Sequence, residues 1–316
     1  MTSRRHPAVL FAIALACACL ATPRAGQAPQ PELFGEGVIS TPDFELNSAF
    51  LPDGNTVYFT KSTANLGFWT IVSSRLVNGR WTEPEVAPFS GRHSDADLAV
   101  TPDGRRLVFI SNRPVPGAAA RSRRAPHIWY VDRTPGGWSE PRNAAALNSQ
   151  AGEYYPSVAG DGTLYFESAR PGGSGRADVY RSRLVSGGYA APENLGTPLN
   201  SEFNEGDAAI SPDQRFIILT VTGRPDDLGG GDLYISEQKD GTWSRPRPLP
   251  APINTVALEF CPSLSPDGRF LFFTSTRGFG TEPLDRQLDY RALTSNLRGV
   301  LNGLGNVYRV PMTEVR

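Results

Sequence analysis

The chain of 316 residues is poor in the residues that cross-link or ligate, with 3 cysteines, 3 histidines and 2 methionines. Cys17 and Cys19 fall in an apolar segment near the N-terminus, so Cys261 is the only cysteine beyond it. One cysteine cannot form an intramolecular disulfide, and we expect Cys261 to pack as a small core residue. His93 and His127 are too few for a histidine-rich metal site. The fold must therefore be held by a buried core.

Several catalytic motifs are also missing. The sequence has no Gly-x-Ser-x-Gly elbow, no P-loop and no His-Glu-x-x-His zinc motif. The net charge of −1 gives no electrostatic argument for binding nucleic acid or an anionic membrane. These absences disfavour the commonest hydrolase and nucleotide-binding classes.

The longest apolar run covers only residues 8–21 and follows Arg4 and Arg5. A run of this length with a basic start is typical of a secretory signal and is too short to span a bilayer. We expect residues 1–28 to be removed and the protein to be periplasmic or secreted in a bacterium. Lipid attachment at Cys17 or Cys19 is a disfavoured alternative, because the usual leucine three residues earlier is alanine.

Glycine and proline are abundant, at 32 and 28, and they are spread along the chain. They mark a recurring motif, seen as "LPDGNTVYFTKS", "TPDGRRLVFISNR", "AGDGTLYFESAR", "SPDQRFIILTVTGR" and "SPDGRFLFFTSTR". Its proline column falls at positions 52, 102, 160, 212 and 266, where position 160 is glycine. A period near fifty residues favours a four-stranded propeller blade over a helical solenoid.

Each unit has the chemistry of a small antiparallel sheet. The Pro-Asp-Gly turn joins a first strand to a second, dense apolar strand that is typical of a sheet interior. A third strand such as "ADVYRSR" follows, and then a Trp/Tyr-x-x-Pro segment whose proline suits an edge strand. One such sheet cannot bury both faces alone, but stacked neighbours can.

The count predicts an all-β fold, a single five-bladed β-propeller, with six blades as the alternative. The fifth repeat lacks its outer strand, and the N-terminal segment 31–41 matches the missing piece, so we expect it to close the ring. The predicted propeller covers residues 29–316. Its repeats are 42–91, 92–149, 150–201, 202–255 and 256–316, with a helical insertion at about 284–301.

The Ser-Pro-Asp-Gly hairpins, the Asp-Val-Tyr and Asp-Leu-Tyr strands and the Trp-x-x-Pro ends resemble the WD40-like (PD40) repeats of the TolB type of β-propeller. The resemblance covers residues 31–316. It implies the propeller fold and a protein partner in the cell envelope. Function is implied only weakly, since such propellers serve as scaffolds, enzyme adjuncts and enzymes. The chain also lacks the α/β domain that precedes the propeller in TolB.

Two polar columns are predicted to meet at one face of the ring, called the upper face. The carboxylates are Glu45, Asp95, Glu153, Glu205 and Glu259, and the arginines are Arg113, Arg170, Arg224 and Arg277, with Lys61 in the first repeat. Their repetition in every blade favours structural ion pairs. Two residues after each carboxylate lies a variable position that we expect to line the channel: Asn47, Asp97, Tyr155, Asp207 and Cys261. A solvated polar lining is the favoured interpretation, and a site for a small ligand or cation, contacted by Asp97 and Asp207, is the alternative.

Three further segments of the sequence break the repeat. The basic loop "NRPVPGAAARSRRAPH" offers Arg121, Arg123 and Arg124 to an acidic partner, or is simply solvated. The insertion at 284–301 is expected to pack its leucines on the propeller, with a partner groove as the alternative. Asp226, Asp227 and Asp232 could ligate Ca²⁺, although a metal-free glycine-rich loop is the expectation, so no cofactor and no metal site is predicted.

The sequence therefore favours an exported, non-catalytic β-propeller that binds a protein or a ligand through its upper channel face in the cell envelope. The alternative is an enzyme that acts on a saccharide or a peptide at the channel mouth, where paired carboxylates could hydrolyse a glycoside. We expect an envelope or extracellular protein partner, or a small ligand or saccharide, with no nucleic acid and no transmembrane span.

Overall fold

The computed structural model describes residues 30–115 and 125–315. Five antiparallel sheets of the same topology follow one another along the chain, and each sheet is one blade of a β-propeller. In each blade the strands are called A, B, C and D from the axis outward. The predicted all-β fold with five blades is confirmed.

Strand A of each blade lies at the axis, where it contacts strand A of both neighbouring blades. The A strands are Phe44–Phe50, Asp95–Val100, Glu153–Val158, Asn204–Ile210 and Glu259–Leu264. The B strands are Thr56–Ser62, Arg106–Ser111, Leu164–Ser168, Phe216–Thr222 and Phe270–Ser275. The C strands are Trp69–Val77, His127–Thr134, Asp178–Ser182, Asp232–Lys239 and Asn306–Pro311. The short D strands are Glu85–Val86, Arg142–Asn143, Glu193–Asn194, Arg247–Pro248 and Glu32–Leu33.

The C strands of the first four blades extend beyond strand D into small hairpins. The extra strands are Arg80–Trp81, Gly137–Trp138, Leu184–Val185 with Gly188–Tyr189, and Thr242–Trp243. Helical structure is limited to the α-helix Tyr290–Arg298, which is inserted between strands B and C of the fifth blade, and the 3₁₀ turn Met312–Glu314.

The Pro-Asp-Gly turns join strands A and B on one side of the ring, called the turn face. In the fifth turn, the Arg269 amide N–H donates to Asp267 Oδ1 at 3.1 Å, and Gly268 adopts a φ of 68°. Aspartate satisfies the turn backbone there, and glycine accepts a left-handed conformation at no steric cost. The apolar strand B that follows is buried between A and C, with Leu271 and Phe273 almost fully covered.

Polar side chains in the connectors between blades attach each connector to strand C of the blade that it leaves. Asn200 accepts from the Val179 N–H at 2.9 Å and donates to the Val179 carbonyl at 3.0 Å. Asn148 bonds Ile128 in the same two ways, and Asn254 bonds Leu233. These amides replace the ladder partners that the short strand D does not supply.

The N-terminal segment closes the ring. Glu32–Leu33 pairs with Asn306–Pro311, so the fifth blade is built from both ends of the chain. Phe34 then packs edge-on against Trp81 and Phe272, which belong to the first and fifth blades. The predicted closure by an N-terminal strand is confirmed, and it leaves no open junction in the ring.

Candidate functional site

The five predicted channel positions occupy the same place in every blade. Strand A carries a β-bulge, and the bulged residue has a left-handed φ between 45° and 56°. These residues are Asn47, Asp97, Tyr155, Asp207 and Cys261. A bulge re-aims the side chain it carries, and a non-glycine residue in this region stores about 1–3 kcal/mol of strain. The strain repeats around the ring, but the side chains presented at these positions do not.

Four of the five bulge amides donate to a side chain of the preceding blade. The Tyr155 N–H donates to Asp97 Oδ2 at 3.3 Å, and the Cys261 N–H donates to Asp207 Oδ2 at 3.2 Å. The Asp207 N–H donates to Glu167 Oε2 at 3.3 Å, and the Asn47 N–H donates to Thr274 Oγ1 at 3.2 Å. These side chains therefore join one blade to the next near the axis.

A second set of hydrogen bonds crosses the axis itself. Asn47 Nδ2 donates to the Tyr155 hydroxyl at 3.2 Å, and that hydroxyl donates to the Pro262 carbonyl at 2.7 Å. The three residues belong to the first, third and fifth blades, which are not all neighbours. The chain of bonds closes the channel at mid-height, and both side chains are buried.

Three carboxyl groups lie together next to this crossing, and they are called the carboxyl layer: Asp97, Glu167 and Asp207. Burial and the charge of Asp207 raise the pKa of Asp97 to about 8, and the same causes raise that of Glu167 to about 8. Burial also raises the pKa of Asp207, to about 6. Burial likewise raises the pKa of the adjacent Cys261 thiol and Tyr155 hydroxyl. The cause is an environment with three acids and little water.

Access to the carboxyl layer is uneven. The Asp97 side chain is buried, whereas Glu167 and Asp207 are half-buried. The last two residues therefore keep some accessible surface, whereas Asp97 has almost none. Within the described ranges 30–115 and 125–315, no lysine, arginine or histidine forms an ion pair with any member of the layer.

Glu167 is the member of this layer that the sequence analysis did not select. It comes from strand B rather than strand A, in a column that otherwise holds Thr60, Ile110, Thr220 and Thr274. Its neighbour Gly206 is a second departure, since the other blades carry Leu46, Ala96, Tyr154 and Phe260 in that column. A Cβ at Gly206 would lie 2.8 Å from the Glu167 carboxyl carbon. Two features of the sequence could have identified Glu167 as a site residue: a glutamate in a column that mostly holds threonine, and a glycine at the position that pairs with this column in the next blade.

A cavity of about 300 Å³ occupies the half of the channel nearer the turn face. Asn47 and Tyr155 line it, and they also form the crossing that closes the channel. At the turn face it reaches Pro52, Pro102, Pro212 and Pro266, the proline column of the repeat. The hydroxyls of Ser48, Ser157 and Ser263 lie among mostly apolar walls. The prediction of binding through the upper face differs from this geometry, because the cavity opens at the opposite end of the channel.

The predicted upper-face carboxylates are buried, and four of them meet a cation. Arg113 Nη2 lies 2.6 Å from Asp95, and Arg170 Nη2 lies 2.8 Å from Glu153. Arg277 is 3.2 Å from Glu259, and Lys61 Nζ is 2.7 Å from Glu45. The arginines also lie over aromatic rings and donate to connector carbonyls, as Arg113 does over Trp129 and to Phe89. These contacts hold each connector against its blade.

The fourth blade departs from this pattern. Arg224 forms a two-point pair with Asp226, at 2.8 and 3.2 Å, rather than with Glu205. Glu205 instead accepts hydrogen bonds from the Ser201 amide and hydroxyl. The cause is local, since an aspartate two residues along the chain is closer than the rim carboxylate.

The acidic loop considered for Ca²⁺ is bonded internally. The Tyr234 hydroxyl lies 3.1 Å from one oxygen of Asp226 and of Asp227, and the Gly223 N–H donates to Asp227. Asp232 accepts from the Leu228 N–H, and burial raises its pKa to about 6. In the part of the chain that the structure describes, no group of three or more His, Cys, Asp and Glu side chains is arranged to hold a metal ion.

The remaining predicted surfaces are the two non-repeating segments. Arg121, Arg123 and Arg124 of the basic loop lie outside the described residues. The helix Tyr290–Arg298 has no buried residue, and Tyr290 is 82% and Leu297 55% exposed. Its apolar side faces solvent, contrary to the expectation that it packs on the propeller. Nowhere between residues 30 and 315, leaving aside 116–124, is a helix long and apolar enough to cross a membrane.

Comparisons with known proteins support the architecture alone. No protein-family model and no curated protein matches the chain. Among solved structures, the α-L-arabinofuranosidase of Lactobacillus brevis is 13% identical, with a TM-score of 0.51, over 88% of this chain and 93% of that one. TolB of Acinetobacter baumannii is 16% identical, with a TM-score of 0.49, over 85% of this chain. The match covers 54% of TolB, so this chain spans about half of its length.

A gluconolactonase from Xanthomonas campestris is also similar, at 11% identity and a TM-score of 0.44. Identities this low establish a common fold and no common activity. The chain is a five-bladed β-propeller of four-stranded antiparallel blades, and TolB is among the solved structures that it resembles.

Proposed function

We propose that this protein is a non-catalytic binding module of the bacterial cell envelope and that its ligand site is the axial channel. One observation carries the proposal. Asn47 and Tyr155, from blades on different sides of the ring, bond across the axis at the inner end of a 300 Å³ cavity. Polar side chains that converge at the end of a mostly apolar cavity are the usual features of a small-molecule site.

The lining favours a small ligand with both apolar and hydroxyl-bearing surface. The walls are prolines and aliphatic side chains, whereas Ser48 and Ser263 share a hydrogen bond of 2.9 Å. A volume near 300 Å³ lies at the lower end of the range for ligand pockets, which runs to about 1,000 Å³. A single sugar or a molecule of similar size fits this description better than a folded partner.

The cellular location is part of the same proposal. The basic start and the short apolar run of residues 4–21 support export. Fractionation of a bacterium expressing the full chain should recover the protein from the periplasm or medium, with an N-terminus near residue 29. Recovery from the cytoplasm with the apolar segment intact would contradict this part of the proposal.

Ligand binding can be tested by a thermal-shift screen of sugars and small metabolites, followed by calorimetry. A ligand at a hundred times its Kd should stabilise the fold by about 2.7 kcal/mol. Ser263→Val should weaken binding, whereas Ser244→Val, outside the channel, should not. If no compound shifts the unfolding temperature, or if Ser263→Val and Ser244→Val behave alike, the channel is not the ligand site.

One observation supports the alternative that the protein is an enzyme. The neighbouring carboxyl groups of Glu167 and Asp207 have different pKa values, about 8 and about 6. Asp207 and Glu167 could act as a base and an acid if a substrate reached them. The compounds that bind should therefore be incubated with the protein and examined for hydrolysis. Turnover that Asp207→Asn abolishes would replace the binding proposal with a catalytic one.

Binding of a protein partner is a further candidate function, and the exposed helix Tyr290–Arg298 favours it. Leu293, Leu297 and Leu301 are exposed on this insertion, together with Tyr290. Exposed apolar residues that lie together mark interaction surfaces more often than isolated ones do. Replacing Leu293 and Leu297 by serine should leave the unfolding temperature unchanged and reduce capture of an envelope protein. Equal capture by both forms would remove the support that the helix gives.

A further inference from the structure

We propose that the channel cavity binds an uncharged ring compound with a hydrogen-bond-accepting oxygen at each of two opposite ends. This inference rests on the proposed function, because it names the chemical class of the ligand held in the same cavity. Three features of the cavity wall carry it: the absence of charge, the free hydroxyl protons, and the place of those hydroxyls in the ring.

The first feature is an uncharged wall. Of the described residues that line the cavity, none is an aspartate, a glutamate, a lysine, an arginine or a histidine. Tyr155 is a titratable member of the lining, and burial raises the pKa of its hydroxyl, so it stays neutral. A charged ligand would lose hydration in the cavity and meet no opposite charge on its wall. The wall therefore favours a neutral ligand over a cation or an anion.

The second feature is a set of three serines that departs from the repeat. Ser157 and Ser263 lie four residues after the upper-face carboxylate of their blades, in a column that holds alanine in the other three. Those alanines are Ala49, Ala99 and Ala209. Ser48, one column earlier in the first blade, replaces an apolar residue of the other four blades. All three serines line the cavity, and the alanines show that a blade does not require a hydroxyl at the shared position.

Two hydroxyl protons of these serines have no acceptor within the described residues. Ser157 Oγ accepts a hydrogen bond from the Ile210 N–H at 3.0 Å, and its own proton is donated to no described group. Ser48 and Ser263 share one hydrogen bond of 2.9 Å, which uses one of their two protons. The wall therefore keeps two hydroxyl donors free for a ligand.

The other hydroxyls at the wall are already committed. Thr101 donates to Asp103 Oδ1 at 2.7 Å, within its own turn. Ser265 donates to Asp267 Oδ1 at 2.6 Å in the same way. The Tyr155 hydroxyl donates across the axis to a backbone carbonyl. Among the described residues of the wall, the hydroxyl donors that a ligand can use are therefore those of the three serines.

The third feature is the place of these donors in the ring. Ser157 belongs to the third blade, whereas Ser48 and Ser263 belong to the first and fifth blades, which adjoin each other on the far side. The wall between them, from the second and fourth blades, is mainly aliphatic: Leu98, Ala99, Val100, Ala209 and Ile210. An apolar ring with an oxygen at each end would cover this wall and accept from both donors.

The test is an NMR titration of the purified chain with four probes built on one cyclohexane ring. 1,4-Cyclohexanedione and trans-1,4-cyclohexanediol are neutral and carry oxygens at opposite ends. At pH 7, trans-1,4-diaminocyclohexane is a cation and trans-1,4-cyclohexanedicarboxylate is an anion. The proposal expects the dione and the diol to bind, and each charged probe to bind at least about tenfold more weakly. This comparison uses the wild type, so it does not depend on the folding of any variant.

Serine variants test the two donors separately. Ser157→Ala should weaken binding of the dione about three- to tenfold, the usual effect of removing one neutral hydrogen bond. The double variant Ser48→Ala with Ser263→Ala should weaken it by a similar factor, because it removes the donor on the far side. Ser244→Ala, at an exposed serine that does not line the cavity, is the matched control and should bind the dione as the wild type does.

Failure of the dione and the diol to bind would overturn the inference. So would a charged probe that binds as tightly as they do, or dione binding that the serine variants leave unchanged. The proposed function is decided separately. It survives if a charged probe, or any compound of the broader screen, binds and Ser263→Val weakens that binding, because the channel would then still be the ligand site.

Discussion

Glu167 and Gly206 face each other across the junction between the third and fourth blades. The glutamate carboxyl fills the space that a side chain at position 206 would need. Gly206→Ala should therefore destabilise the fold by about 1–3 kcal/mol, the usual cost of overpacking a filled site. Urea unfolding would measure this cost.

Gly136→Ala is the matched control, because a Cβ there meets nothing within 4 Å and its backbone is not left-handed. The double variant Gly206→Ala with Glu167→Thr should recover most of the loss, since the two positions share one space. Additive losses in the double variant would contradict the steric explanation.

The pH dependence of stability should follow the carboxyl layer. Asp97 has a pKa of about 8 when folded, against the ordinary aspartate value of 3.8, so the folded chain holds this proton more tightly than the unfolded chain does. The stability that this group contributes is complete below pH 4 and is lost as the pH rises through about 8. Unfolding free energy should fall between pH 5 and pH 8.5.

Asp97→Asn should flatten that fall by at least about 1.4 kcal/mol, which corresponds to one pKa unit. The groups around Asp97 that also titrate are Glu167, Asp207, Tyr155 and Cys261, and they remain in the variant. Asp267→Asn is a control of opposite sign, because hydrogen bonds to Ser265 and Arg269 lower the pKa of Asp267 to about 2. An unchanged pH profile in Asp97→Asn would contradict the assignment.

The seal between the first and fifth blades should depend on Phe34. Its ring is buried against Phe50, Trp81 and Phe272. Phe34→Ala should lower the unfolding free energy by about 3–5 kcal/mol, as expected for removing a buried aromatic ring. Val86→Ala, at an exposed site on the D strand of the first blade, should change it by less than about 0.5 kcal/mol. Similar losses in the two variants would show that Phe34 does not seal the ring.

Ion pairs of different burial should differ in strength between blades. Arg113 is buried with Asp95, so Arg113→Ala leaves an unpaired buried carboxylate and should cost about 3–5 kcal/mol. Arg75 and Glu85 of the first blade are both exposed, so breaking their pair through Glu85→Ala should cost no more than about 1 kcal/mol. Equal effects in thermal unfolding would contradict the distinction drawn between the blades.

The repeat allowed much of the fold to be predicted because its chemistry is local. A Pro-Asp-Gly turn and an apolar strand specify a hairpin in any context, and five copies at one period specify the ring. The axial positions followed from the register of strand A, since Asp97 and Asp207 lie two residues after a conspicuous acid in each copy. The bulge that turns them toward the axis has no signal of its own in the sequence.

Other parts of the site depend on contacts between blades, which a single strand does not reveal. Glu167 lies in an apolar-looking strand, and its role emerges only when Gly206 of the next blade is placed beside it. Arg224 occupies the arginine column of the repeat, but it pairs with Asp226 rather than Glu205 because Asp226 is the nearer of the two acids. The leucines near 293 have helical spacing whether their helix packs on the ring or faces solvent.

The pairing of Glu32–Leu33 with Asn306–Pro311 joins the part of the fold that a ribosome makes first to the part that it makes last. The first four blades can form in order as the chain emerges. The fifth blade also needs the strand Glu32–Leu33, which is synthesised more than 270 residues before its partner Asn306–Pro311. Contacts of such long sequence separation form late, because the loop they close is long. Until the fifth blade forms, the ring has one gap, and the contacts that Phe34 and Phe50 make with Phe272 are missing. A chain stopped before residue 306 would therefore keep its first blades and still expose the apolar surface that closure buries.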